Sequence, residues 1–326
     1  MAEQLKIIPL GGLDEIGKNM TVYEYGGEIV VVDCGMAFPD EDMYGVDCVI
    51  PDVSYLVKNQ KRIRGLFITH GHEDHMGAIA QIWPTLQCPV YGMDFSLGLI
   101  RERLDEFKMA DQVPLVSVNN NRMVEVENFS VEFIDIAHTV PQTCVLAIRT
   151  KYGNILHATD WRFDDEALAM IPTNFKALKR FADEGVSMLV CDSTNVLVDK
   201  KSPSESDVRE NLIRLIPQLE GGVIVTCFAS NLMRLESLLL AAKAANRTPV
   251  IVGRTLVTNM KIATECGYLA DAPKAFTIEQ AKDIAAENAL YICTGSQANY
   301  HSAMSFIANG ESKYIKLDKS DTIIFS

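Results

Sequence analysis

The stretch Ile68-Thr69-His70-Gly71-His72-Glu73-Asp74-His75-Met76-Gly77 constrains this chain most. It packs three of the six histidines and an aspartate into six residues. The apolar run Gly65-Leu66-Phe67-Ile68 predicts a short buried strand before it, and Met76 to Trp83 predicts a helix after it. The polar cluster therefore falls on a strand-to-helix turn, with Asp74 near a helix N-terminus, where a carboxylate is favoured. His70 and His72 point the same way on an extended turn and suit one cation. Asp74 and His75 are offset from them and suit a second. Imidazoles with carboxylates are a ligand set for Zn²⁺ or a similar transition ion. A solvated polar turn is the bland reading, and H-x-H-x-D-H spacing weighs heavily against it.

Other apolar runs end on polar residues that would complete such a site. Val131 to Ile136 predicts a strand ending at His138, and the cluster needs a third imidazole for its first ion. The strand Ile155-Leu156-His157-Ala158 leads to Asp160, whose carboxylate has two oxygens with which to bridge two cations. His157, inside that strand, reads as a core residue or as a support to a ligand. Asp33, at the end of Glu28 to Val32, either supports a metal-bound histidine or caps the next turn.

Composition narrows the class. Apolar residues make up 48% of 326, enough for real cores, and no run of 18 apolar residues spans a membrane. The opening Met1-Ala2-Glu3-Gln4-Leu5-Lys6 lacks a signal-peptide pattern. Eight scattered cysteines without C-x-x-C read as reduced, buried thiols of a cytoplasmic protein and exclude a zinc ribbon. The net charge of −13 is uneven: residues 1–205 carry 18 Lys+Arg against 31 Asp+Glu, and residues 206–326 carry 12 of each. That excludes a uniformly basic nucleic-acid footprint, though not a nuclease that grips its substrate locally.

Gly12 to Asn19 nearly matches the phosphate-cradling loop G-x-x-x-x-G-K-[ST]. Asn19 lacks the hydroxyl, and Met20 to Tyr25 reads as a strand where that motif needs a helix, so a glycine-rich turn between strands is expected. Val198 to Ser206 reads as a linker, with Ser204 as a helix N-cap. Beyond it helices 206–219, 232–246, 255–267, 278–288 and 299–308 alternate with strands 223–226, 250–252, 290–293 and 322–325. This is the pattern of an open α/β sheet. Ser326 directly follows an apolar strand, which predicts that the natural protein is longer.

The H-x-H-x-D-H run matches the signature of the metallo-β-lactamase superfamily. Further runs make the whole chain similar to the N-terminal part of the ribonuclease J family of β-CASP nucleases. These are I-I-P-L-G-G-L-D-E-I-G-K-N-M at 7–20, V-V-D-C-G-M-A-F-P at 31–39, C-D-S-T-N at 191–195, F-A-S-N at 228–231 and C-T-G-S-Q at 293–297. The resemblance implies an αββα sandwich in residues 1–205 and an inserted α/β β-CASP domain in 206–326, with the return to the first domain absent. It implies one ion on His70, His72 and His138, another on Asp74 and His75, and Asp160 between them. Asp192 falls at the family's acidic motif beside the metals, and Ala229, Ser230 and Asn231 match a segment that contacts RNA. A helix N-cap reading of that segment is compatible, because helix N-termini bind phosphate. Two departures stand out. Met233 replaces a motif histidine, and the last metal-binding histidine of the family lies beyond residue 326, leaving the second ion one ligand short.

The expected function is a zinc-dependent ribonuclease with two Zn²⁺ per chain, Mn²⁺ being the alternative. A hydroxide bridging the ions would attack the phosphodiester in line, with Asp74 as proton acceptor. The resemblance implies 5′→3′ exonucleolytic and endonucleolytic cleavage, preference for a 5′-monophosphate end, no membrane partner and a homo-oligomer in the full-length protein. The rivals are a small-molecule metallo-hydrolase and a catalytically impaired RNA-processing subunit.

Overall fold

The computed structural model describes residues 4–40, 42–164, 168, 173–199, 203–296 and 302–326. Met1 to Glu3, Lys200 to Ser202, Gln297 and residues 299–301 of the expected helix 299–308, all used in the readings above, lie outside the described residues. The chain divides into two compact units: Met1–Phe163 with Ile171–Val198, and Asp164–Met170 with Asp199–Ser326.

The first unit is built on two sheets. One runs in chain order through β1 (Lys6–Gly11), β2 (Met20–Tyr25), β3 (Glu28–Val32), β4 (Ile63–Phe67), β5 (Val90–Gly92) and β6 (Leu115–Ser117). Its first three strands are antiparallel and the rest parallel. The other holds β7 (Met123–Val126), β8 (Phe129–Asp135), β9 (Cys144–Arg149), β10 (Asn154–Ala158) and β11 (Met188–Cys191), with β10 and β11 parallel.

Alternation along each strand sorts side chains onto two faces. Val30, Val32 and Phe67 meet Phe133, Cys144, Leu146 and Ile148 in one buried cluster, so the sheets pack face to face. Ile29 and Val31 point the other way and are equally buried. α1 (Ser54–Asn59) and α4 (Asp94–Glu106) both pack on α3 (Ile79–Leu86), and their buried side chains lie outside that cluster; α2 (Glu73–Met76) follows β4 and precedes α3. On the far side, Ala177 and Phe181 of α5 (Phe175–Asp183) pack on Ile134, Val145 and Ala147. The layers are α, β, β, α.

In the second unit all five strands are parallel, in the order β14 (Phe276–Thr277), β13 (Thr248–Val252), β15 (Ala289–Cys293), β12 (Val223–Thr226), β16 (Thr322–Phe325). α6 (Glu205–Leu215) packs on α7 (Leu232–Ala244), and α7 and α8 (Arg254–Glu265) pack on β13. Met304 and Ile307 of α9 (Ala303–Ala308) join Ile224, Tyr291 and Cys293 in a further cluster. Ser204 caps α6 as expected, in a reciprocal pair with Asp207.

Three expectations need correction. Residues 278–288 form separate turns and a short 3-10 segment, because the Gln280 side chain folds back to accept from the Thr277 N–H and Ala281 and Ile284 turn onto the sheet. The helix after the histidines splits in two, since the Ala78 N–H donates to Cys34 O rather than continuing α2. Not all thiols are buried. Cys191 is exposed on the edge strand β11, and Cys48 and Cys266 are half-buried. No helix among the described residues is long and apolar enough to cross a membrane.

Candidate metal centre

Four chain segments deliver the polar cluster. The loop after β4 carries His70 and His72, and α2 carries Asp74 and His75 in its first turn. His138 follows β8 and Asp160 follows β10. A hydrogen bond from the Cys144 N–H to Thr69 O (3.0 Å) ties the β8–β9 connection to the histidine loop.

Ligand atoms converge in two groups. In the first, His72 Nδ1 lies 3.0 Å from His70 Nε2 and 3.3 Å from His138 Nε2. Asp160 Oδ2 is 3.4 Å from His138 Nε2 and 3.8 Å from both His70 Nε2 and His72 Nδ1. In the second, His75 Nε2 lies 3.5 Å from Asp74 Oδ2 and 3.4 Å from Asp160 Oδ1. Ligands of a tetrahedral ion with bonds of about 2.0 Å are about 3.3 Å apart. Both groups thus have the composition and spacing of a metal site, and Asp160 offers one oxygen to each.

A single buried carboxylate orients both groups. Asp33 Oδ2 accepts from His75 Nδ1 (2.8 Å) and from Thr69 Oγ1 (2.9 Å), while Thr69 Oγ1 lies 3.0 Å from His70 Nδ1. With Nδ1 protonated on both rings, each Nε2 lone pair faces the cluster. Of the two roles left open for Asp33, this is the one it fills. Thr69 was missed in the sequence, and its position just before His70 is the one signal that could have found it.

Charge follows geometry. Burial pushes His70 and His138 below the ordinary histidine value, because a cation there would be poorly solvated. Burial also opposes charge on His75, but Asp33 and the neighbouring carboxylates outweigh it and raise that ring. Asp74 and Asp160 resist ionisation through burial, yet histidine contacts hold both below the usual carboxylate range. His157 lies outside the cluster, fully buried, with Nδ1 2.6 Å from the Tyr23 hydroxyl.

The remaining candidates are placed differently. The Asp192 N–H bonds to Ala158 O (3.0 Å), two residues before Asp160, but the carboxylate accepts from the Thr194 N–H (2.7 Å) and belongs to neither group. Ala229, Ser230 and Asn231 lie in the second unit between β12 and α7, where the Asn231 side chain caps α7 by accepting from the Arg234 N–H. Met233 is buried in α7.

The family model of the metallo-beta-lactamase superfamily matches residues 13–200, and that of the ribonuclease J beta-CASP domain matches residues 220–326. Ribonuclease J of Synechocystis sp. is 38% identical over 99% of this chain and 51% of its own length. Ribonuclease J of Mycobacterium tuberculosis is 37% identical over 99% of this chain and 58% of its own. The chain thus spans about half the length of the curated relatives it matches. A crystal structure of a protein of unknown function from Enterococcus faecalis shares the fold, with a TM-score of 0.63 and 15% identity over 89% of this chain and 77% of that one.

Proposed function

Because the chain belongs to the metallo-β-lactamase superfamily and carries a ribonuclease J β-CASP domain, we propose that it is the catalytic part of a cytoplasmic ribonuclease. Its reaction would be hydrolysis of RNA phosphodiesters, both 5′→3′ from a 5′-monophosphate end and internally. Residues 1–205 are taken as the metallo-β-lactamase domain and 206–326 as the β-CASP domain, a division supported by family matches that fall on either side. The natural protein would act as a homo-oligomer.

The observation that carries this reading is the convergence of two ligand groups on Asp160. His70, His72 and His138 would hold one Zn²⁺ and Asp74 with His75 the other, Asp160 being shared; Mn²⁺ is the alternative. Such ions supply Lewis acidity, which generates a nucleophile from water near neutral pH and offsets charge on the phosphodiester. Asp74, which its histidine contacts keep ionised against burial, would take a proton from that water. Asp192, whose main chain adjoins the Asp160 turn, is the second carboxylate of the catalytic set. Asp33 and Thr69 hold the imidazoles in the required tautomer. Ala229, Ser230 and Asn231, at the N-terminus of a 13-residue helix, are assigned to RNA contact, since such ends favour phosphate.

A second reading, a catalytically impaired RNA-processing subunit, draws on Met233, because a buried thioether cannot shuttle a proton. Metal content measured beside cleavage of a 5′-monophosphorylated RNA separates the readings. Two ions and cleavage support the nuclease. Two ions with lactone or thioester hydrolysis but no RNA cleavage would move the assignment to a small-molecule hydrolase, and absence of bound ions would favour the impaired subunit.

A further inference from the structure

The glycine-rich stretch before β2 has no role in the function described so far, and it ends on Asn19. The Asn19 N–H donates to Asp74 O (2.9 Å), and its side-chain Nδ2 donates to the same oxygen (3.1 Å). Nδ2 also lies 3.4 Å from Asp74 Oδ2 and 3.1 Å from His75 Nε2. These contacts of the amide fall on Asp74 and His75, the second ligand group.

Two glycines permit the approach. At Gly35 a Cβ would lie 1.6 Å from Asp74 O and 2.7 Å from the Asn19 N. At Gly12, with φ of +84°, a Cβ would lie 2.4 Å from Asn19 Oδ1. The pattern that resembles a phosphate loop is, in this fold, the means by which one amide reaches one metal position.

Resting on the metal reading above, we propose that Asn19 is a positioning residue for the second ion, acting through Asp74. Asp74 sits in the first turn of a four-residue helix with its carboxylate about a third exposed (32%), where a side chain readily rotates toward water. The Asn19 amide holds both the main chain and the carboxylate of Asp74 against that rotation. Without it, ordering Asp74 must be done by the incoming ion, and affinity at that position falls.

The test is a Zn²⁺ competition titration of the whole chain against a chromophoric chelator, with Co²⁺ absorption reporting each site. In Asn19→Ala the second equivalent should weaken about ten- to a hundredfold, the range for lost outer-layer contacts. The first equivalent and the melting temperature of the metal-free protein should stay unchanged. Gly12→Ala, which crowds the amide while leaving Asn19 in place, should reproduce the weakened second equivalent, at a lower melting temperature because φ at Gly12 is +84°, and covers the case in which Asn19→Ala does not fold. Two equivalents bound as in the wild type, or both weakened alike, overturns the proposal. A wild-type chain that takes up a single equivalent overturns the role of Asn19 and leaves the first group standing. A chain that takes up none overturns the metal reading itself.

Discussion

The two units bury different chemistry. In the first, Asp33, His70, His75 and His157 are all at most 4% exposed, set between or at the ends of strands. In the second, the cluster beneath α9 is aliphatic, aromatic and sulfur-bearing, and the buried Glu205 is held by a two-pronged pair with Arg234 (2.9 and 3.1 Å). Buried polar groups persist where each has a partner. In the first unit Asp33 is partnered by the candidate ligand His75 and by Thr69, which also meets His70, while His157 is partnered by Tyr23, so most of this buried polar set supports the metal centre. In the second, of the residues assigned to recognition, Asn231 caps α7 just after β12. Substitutions should therefore abolish activity in one unit and tune it in the other.

The sharpest test of that contrast is Asp160→Asn. It removes charge from both ligand groups, so both ions should be lost and RNA cleavage should drop to the level of the metal-free protein, as read by metal content and rate together. Asp74→Ala should lower cleavage about 10²- to 10⁴-fold, the span for a lost proton acceptor, with far-UV circular dichroism unchanged and the first ion retained. An unaffected rate would break the assignment.

His157 probes the first unit without touching a ligand. Burial holds it down to about 4 from an ordinary 6.5, so between those values the unfolded chain binds a proton that the folded chain refuses. Stability is then full above pH 6.5 and falls by about 3 kcal/mol toward pH 4. Urea unfolding across that window should show the slope, and His157→Gln should make it shallower, leaving the part that His70 and His138, lowered by burial in the same direction, contribute. Asp33→Asn should weaken metal binding about 10- to 100-fold, and at both positions, because Asp33 supports His75 directly and His70 through Thr69. Loss at one position alone would mean that the Thr69 link carries nothing.

The smallest effect lies in the second unit. Asn231→Ala should cost about 1 kcal/mol of stability through the lost cap and weaken RNA binding while leaving metal content unchanged. A lost ion in that variant would erase the contrast between the units.

Legibility divided along the same line. The H-x-H-x-D-H run is local, so strand, turn and the first turn of α2 put its side chains together without help from the rest of the chain. His138 and Asp160 were legible for a related reason: each ends an apolar strand, and strand ends are where a sheet stops covering its side chains. The fold class followed from strand and helix periodicity, strengthened by motifs spread over the whole length. Residues 278–288 misled because helical propensity in a short segment yields to the need to cover the sheet and return to β15.

What the amino-acid sequence determined alone was the candidate ligand set, most of the strand and helix pattern and the family. Only the tertiary structure decided how Asp160 divides its two oxygens, that Asp33 supports imidazoles instead of capping a turn, and that Asn19 meets Asp74 across 55 residues. Each of these is a hydrogen bond or a shared vertex between segments far apart in the chain. A hydrogen bond has a direction and a length that depend on where both partners are placed, and no spacing along one strand records that. The Tyr23–His157 contact, spanning 134 residues, is the extreme case. Residue type names a donor or an acceptor, and packing chooses its partner.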